Sequence, residues 1–209
     1  MFITFEGCEG CGKSTQARLL YNNLLGRGIP CIFTLEPGGT PLGISVRDLL
    51  KVKRDFSISP EAELMLFSAC RAQLVRDVVR PALDEGRAVI CDRYSDSTLV
   101  YQGHARGLDL KMIDYINHIA TGGLKPDLTI LLDTQPELGL GRKRNIESDR
   151  FDDEDISFHR KVRDGYLKEA GKEPSRWSVI PAQQPIETIS RAILDIVLPR
   201  LGKPGAEKA

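Results

Sequence analysis

Eight residues near the amino terminus, Gly7-Cys8-Glu9-Gly10-Cys11-Gly12-Lys13-Ser14, carry the densest chemistry in the chain. They fit G-x-x-x-x-G-K-[ST], the phosphate-cradling P-loop pattern. In that chemistry the glycines turn backbone N–H groups inward around phosphate oxygens. Gly7, Gly10, Cys11, Gly12, Lys13, Ser14 and Thr15 are therefore the expected nucleotide-binding residues. Lys13 reaches the β- and γ-phosphates, and the Ser14 hydroxyl is a ligand for Mg²⁺. By composition a chance match is on the order of 1%.

The same segment holds a C-x-x-C, which elsewhere means a metal or redox chemistry. No second cysteine pair and no histidine at zinc spacing accompany it, so a tetrahedral site lacks ligands. Cys31, Cys70 and Cys91 sit in apolar runs and read as core residues. Cys8 and Cys11 read as small side chains packed behind the loop. Their place beside a helix N-terminus and Lys13 also predicts lowered pKa values and sensitivity to oxidation or alkylation.

Further chemistry is spread along the chain. Asp92 ends an apolar run, where a P-loop protein holds Mg²⁺ directly or through water. A helix N-cap is the alternative there. Arg93 beside it offers a two-pronged donor for phosphate. Glu36-Pro37-Gly38-Gly39-Thr40 is a rigid turn that presents a carboxylate and a proline face to a ligand, or else an ordinary turn. Phe67 and Arg71 are four residues apart on a helical pattern and share a face. Such a pair stacks a base and bonds its edge, or is a core ring with a solvated cation. The charged stretch 142–153, with Arg142, Arg144 and Arg150, reads as a solvated loop, or as a lid bringing arginines over a transferring phosphate.

These groups need a scaffold. Short apolar runs at Phe2–Phe5, Cys31–Leu35, Ala88–Cys91, Leu128–Leu132 and Trp177–Ile180 predict strands. Helices are predicted after Lys13 and over Pro41–Lys51, Pro60–Asp84, Leu110–Ala120, Glu137–Arg144, Phe158–Ala170 and Ile186–Leu201. Thr40 before Pro41 is a cap followed by proline in the first helical position. The alternation predicts an α/β fold, a parallel sheet covered on both faces. Ligands then bind at the carboxyl ends of the strands. The 209 residues suit a single domain over 1–201 with a disordered tail over 202–209. Twenty-nine basic and 29 acidic residues cancel, so neither nucleic acid nor a membrane is an expected partner. No apolar run is long enough to span a bilayer. Nothing resembles a secretory signal, and a cytoplasmic, reduced protein is expected.

The ordered set FEGCEGCGKST, EPGGT, LFSACRAQL (Leu66–Leu74), CDRYSDSTLVYQG (Cys91–Gly103) and KPDLTILLD (Lys125–Asp133), with the Asp149-Arg150 pair, resembles thymidylate kinases from Phe2 to about Leu198. The resemblance implies a P-loop NTPase of the nucleoside monophosphate kinase kind, with a five-stranded parallel sheet, usually a homodimer. It implies transfer of the ATP γ-phosphoryl group to dTMP with Mg²⁺. Phe67 would stack on thymine, Arg71 would bond a base carbonyl, and Gln102 or Thr98 would read the N3 edge. Arg93 would hold the dTMP phosphate, Glu9 would face the 3′-hydroxyl, and Tyr101 would crowd the 2′ position. Some members carry a catalytic arginine in the P-loop where this chain has Gly10. That cation must then come from the lid, with Arg150 first and Arg142 and Arg144 next. The rival readings are a kinase for another monophosphate or a deoxynucleoside, a GTP switch and a thiol sensor. No N-K-x-D guanine signature occurs in the chain.

Overall fold

The computed structural model describes residues 1–52, 55–143 and 150–201. Five parallel strands, β1 (Phe2–Glu6), β2 (Cys31–Leu35), β3 (Ala88–Asp92), β4 (Leu128–Asp133) and β5 (Trp177–Pro181), form one sheet in the order β2-β3-β1-β4-β5. Strand β1 is central and buried throughout, which suits its unbroken run FITFE. Its register sets Phe5 beside Asp92 on one side and beside Ile130 on the other. All carboxyl ends therefore open on one edge, where the P-loop follows β1.

The helices are α1 (Lys13–Gly26), α2 (Pro41–Lys51), α3 (Pro60–Leu74), α4 (Arg80–Asp84), α5 (Ser95–Thr98), α6 (Leu110–Thr121), α7 (Pro136–Lys143), α8 (Ile156–Lys172) and α9 (Ile186–Leu201). Side chains alternate across β1. Ile3 and Phe5 pack with Ala17, Leu20, Leu24, Ile189 and Ile193 from α1 and α9, while Phe2 turns to the opposite face against Leu74, Val79 and Tyr94. Both faces are covered, as expected of a parallel sheet.

The long helix expected over Pro60–Asp84 is a continuous helical run that changes pitch. A π-helical turn (Val75–Val79) joins α3 to α4. Pro81 follows it, has no N–H to donate, and crowds the carbonyl four residues back. A second π-helical stretch (Leu99–Ala105) continues α5. This helix over 95–105 was not anticipated from the sequence. Helix α7 spans Pro136–Lys143; Arg144, Asp149 and the tail 202–209 lie outside the described residues. Thr40 caps α2 as expected, its Oγ1 accepting from the Gly43 N–H at 3.0 Å.

Candidate active site

The P-loop leaves β1 at Gly7 and enters α1 at Lys13. Gly10 and Gly12 adopt positive φ of 67° and 95°, conformations open to glycine and costly for other residues. Lys13 is buried and donates from Nζ to the Cys8 carbonyl at 2.6 Å. The Ser14 hydroxyl donates to Oδ2 of Asp92. The two groups expected to meet a cation are thus adjacent. Tyr94, not Asp92, occupies the N-cap position of α5, so capping does not account for Asp92. Among the described residues no cluster of three His, Cys, Asp or Glu side chains could cage a metal. One hydroxyl and one carboxylate do suit Mg²⁺, a hard cation that keeps waters and phosphate oxygens as its other ligands.

A cavity of about 420 Å³ runs from this loop across the sheet edge. Of the residues singled out in the sequence, Glu9, Gly10, Gly12, Lys13, Ser14, Thr15, Glu36, Pro37, Phe67, Arg71, Asp92, Arg93, Thr98, Tyr101, Gln102 and Arg142 line it. Gly7, Cys11 and Arg150 do not.

Arg93 is the most constrained side chain there. Its φ of 71° is left-handed for a non-glycine residue, a strain of order 1–3 kcal/mol that surrounding contacts must hold in place. Its Nη2 donates to Glu9 Oε1 at 2.5 Å and to the Tyr101 hydroxyl at 3.1 Å. Its Nη1 reaches the Gly7 carbonyl, Ser97 Oγ and the Tyr166 hydroxyl at 3.1–3.2 Å. Beneath it lies Glu6, fully buried, which accepts from the Tyr94 N–H at 2.8 Å, from Ser97 Oγ at 2.6 Å and from Tyr166 at 2.7 Å. Burial, then the neighbouring charge of Asp96, pushes the Glu6 carboxyl up to about 7, against the opposing pull of Arg93 and the two hydroxyls.

At the other end of the cavity Arg71 is 1% exposed. Nε donates to Glu36 Oε2 at 2.8 Å, Nη1 to Asn117 Oδ1 at 2.7 Å and Nη2 to the Tyr94 carbonyl at 3.2 Å. Burial raises the Glu36 carboxyl while Arg71 lowers it. Phe67 is half-buried on the same helix, 6.2 Å between ring centres from Phe151.

The described ends of the stretch expected to form a lid lie in two different places. Arg142 donates to the Gly10 carbonyl at 3.5 Å and to that of Ala182 at 3.2 Å, at the mouth of the P-loop. Arg150 lies elsewhere, donating to Glu63 Oε2 at 2.5 Å and to the Leu50 carbonyl at 3.0 Å. Phe151 is buried and lines the cavity.

The expectation of lowered thiol pKa values is overturned for Cys8. It is 3% exposed among Leu131, Val100 and Tyr101. Burial, then the Cys11 neighbour, pushes it up to about 12, outweighing Lys13 and Arg93. Cys11 packs with Ala17 and Leu132, and its Sγ accepts from Lys13 Nζ at 3.5 Å. All five cysteines are buried and unpaired.

Residues 5–193 match the family model for thymidylate kinase. The chain belongs to the thymidylate kinase family. A thymidylate kinase of Dehalococcoides mccartyi is 47% identical over 202 residues, 97% of each chain. One from Geotalea uraniireducens is 46% identical over 209 residues, covering 97% of this chain and 98% of its own. The crystal structure of thymidylate kinase from Ehrlichia chaffeensis superimposes with a TM-score of 0.79 at 32% identity, over 94% of this chain and 98% of that one. The family fold accounts for the parallel sheet and the P-loop after its central strand.

Sequence reasoning missed Glu6, Glu63, Ser97, Asn117, Phe151 and Tyr166. A glutamate ending an apolar strand, directly before the first P-loop glycine, was a readable signal for Glu6. Asn117 and Tyr166 lie on helices distant in sequence and had no local signal.

Proposed function

We propose that this chain transfers the γ-phosphoryl group of ATP to dTMP, giving dTDP and ADP. The observation that carries the reading is one cavity lined both by Phe67, Arg71, Thr98 and Gln102 and by the P-loop. Arg93, Glu9 and Tyr101 stand between the two. In this reading Phe67 stacks on the thymine. Arg71, held by Glu36 and Asn117, bonds a base carbonyl. Pro37 borders the base, and Gln102, with Thr98 beside it, reads the N3 edge. Tyr101 fills the space a 2′-hydroxyl needs, and Glu9 meets the 3′-hydroxyl.

The monophosphate oxygen of dTMP is already a nucleophile, so no general base is required. Catalysis becomes alignment, charge stabilisation and exclusion of water. Arg93 holds the acceptor phosphate, pre-oriented by five acceptors. Lys13 leaves the Cys8 carbonyl for the β/γ oxygens as nucleotide enters. Arg142, on α7 and 3.5 Å from the Gly10 carbonyl of the P-loop, meets charge on the transferred group. Arg150 and Arg144 are the other lid cations in this reading. Ser14 and Asp92, hydrogen-bonded to each other, would hold Mg²⁺ together with the phosphates, and the ion would supply charge neutralisation there.

The family resemblance supports a homodimer. Met112, Tyr115 and Ile119 lie on α6 and are 37%, 68% and 63% exposed, an apolar stripe of the kind a second copy covers. No helix of the described residues is long and apolar enough to cross a membrane. A cytoplasmic enzyme acting on free nucleotides, without nucleic acid, fits the balanced charge.

A coupled ATP assay across dTMP, dUMP, CMP, UMP and AMP tests the reading. Turnover on dTMP well above the rest supports it. No monophosphate-dependent turnover would overturn it.

A further inference from the structure

Glu63 stands in the first turn of α3 and is fully buried. Three side chains from outside α3 converge on it. Gln102 donates from Nε2 to Oε1 at 2.6 Å. Arg106 donates from Nε to Oε1 at 2.8 Å and from Nη2 to Oε2 at 3.3 Å. Arg150 donates from Nη2 to Oε2 at 2.5 Å.

A carboxylate accepts and does not donate, whereas a carboxamide has one end of each kind. The partner at Glu63 therefore decides which way round Gln102 sits. Its NH₂ end faces α3, and its carbonyl oxygen is the end left for the cavity that Gln102 lines. Glu63 is itself held in place. Arg106 reaches Glu154 at 2.8 Å and lies over the Phe158 ring at 4.9 Å. A carboxylate buried between two guanidiniums is costly to leave without them.

We propose that Glu63 sets the nucleobase specificity of the acceptor site by fixing Gln102 with its carbonyl oxygen toward the base. The pocket then takes a pyrimidine whose N3 carries a hydrogen and refuses one whose N3 is a lone pair, as in cytosine. Arg71 cannot make this distinction alone, because it only donates and both kinds of pyrimidine offer a ring carbonyl. Glu63 touches no substrate; it is a positioning residue acting through Gln102. The inference rests on the dTMP reading above and adds the reason for its base selectivity.

The test compares dTMP with 5-methyl-dCMP, which keeps the ring, the 5-methyl group and the 2-carbonyl but carries a lone pair at N3. In the wild-type protein kcat/KM should fall about ten-fold or more with the analogue, mainly through KM, because a buried acceptor loses its partner. In Glu63→Gln, residue 63 can donate or accept, Gln102 can turn, and the ratio should shrink to about two-fold. Glu63→Asp keeps the charge for both arginines but withdraws the acceptor by a methylene, and should shrink the ratio too. It serves if Glu63→Gln does not fold. A wild-type ratio near one would overturn the proposal. So would a ratio unchanged in the variants, even with kcat reduced, since that is the mark of a purely structural role. Absence of any dTMP turnover would overturn the dTMP reading and this inference with it, whereas turnover with an unmoved ratio overturns this inference alone.

Discussion

The carbonyl oxygen of Gly139 lies 1.9 Å from where a β-carbon on Gly10 would stand, and a β-carbon on Gly139 would meet the Glu9 carbonyl at 2.2 Å. The P-loop tip and α7 therefore touch backbone to backbone. The contact leaves no room for a side chain at position 10. It also sets Arg142, three residues after Gly139, beside the Gly10 carbonyl. The fold thus brings a cation to the loop that the loop cannot carry itself. Overpacking a tight contact costs roughly 1–3 kcal/mol. Gly139→Ala should accordingly raise the KM for ATP by about ten-fold or more in steady-state kinetics. An unchanged KM would mean that the two backbones can separate freely.

Arg142 and Arg150 should behave differently. Arg142 lines the cavity, while Arg150 is engaged with Glu63 and the Leu50 carbonyl. Removing a group that meets transition-state charge costs on the order of 10²–10³ in kcat. Arg142→Ala should show a loss of that size with the KM for dTMP little changed. Arg150→Ala should lower kcat by less than about ten-fold. The opposite ranking would return the catalytic role to Arg150.

Glu6 makes stability depend on pH in an unusual direction. Its carboxyl is raised by burial from an ordinary value of 4.5 to about 7 in the folded protein, so folding favours the protonated form. The stability it contributes is full below the unfolded pKa and is lost as pH rises to the folded one. Relative to Glu6→Gln, which cannot ionise, the wild type should lose about 3 kcal/mol between pH 4.5 and 7.5 and then level off. Urea unfolding of both proteins across that range gives the difference. A difference independent of pH would show that Glu6 keeps an ordinary carboxyl.

The thiols of the P-loop should be inert in the native protein. Cys8 is buried and its pKa is pushed up to about 12, so little thiolate forms near neutrality. Iodoacetamide at pH 8 should label Cys8 only after unfolding, and Cys8→Ala/Cys11→Ala should keep kcat within about two-fold of wild type. Rapid labelling of Cys8 in folded protein, read by peptide mass mapping, would contradict the burial.

Local signals were legible and tertiary ones were not. The strands, the P-loop and the Thr40-Pro41 helix start are written in short apolar runs, glycine spacing and a cap, each complete within a few residues. The helix over 95–105 was not, because Asp96 and Ser97 are committed to distant partners, Arg176 and Glu6, and the segment shows no 3.6-residue apolar period. Arg93 and Arg71 could be read as ligand-binding arginines. What orients them could not: Glu6 and Tyr166 around the first, Asn117 for the second. The lid arginines illustrate the same limit. Their types were readable, but their positions depend on Gly139 and Glu63, which only the fold brings near.

Transfer to dTMP is most directly tested by following the phosphoryl group. The protein is incubated with Mg²⁺, dTMP and ATP labelled at the γ-phosphorus, and the products are separated by anion exchange. Label should appear in the β-phosphate of dTDP, with little free phosphate and none bound to protein. Label released as inorganic phosphate regardless of dTMP, with no labelled dTDP, would contradict it.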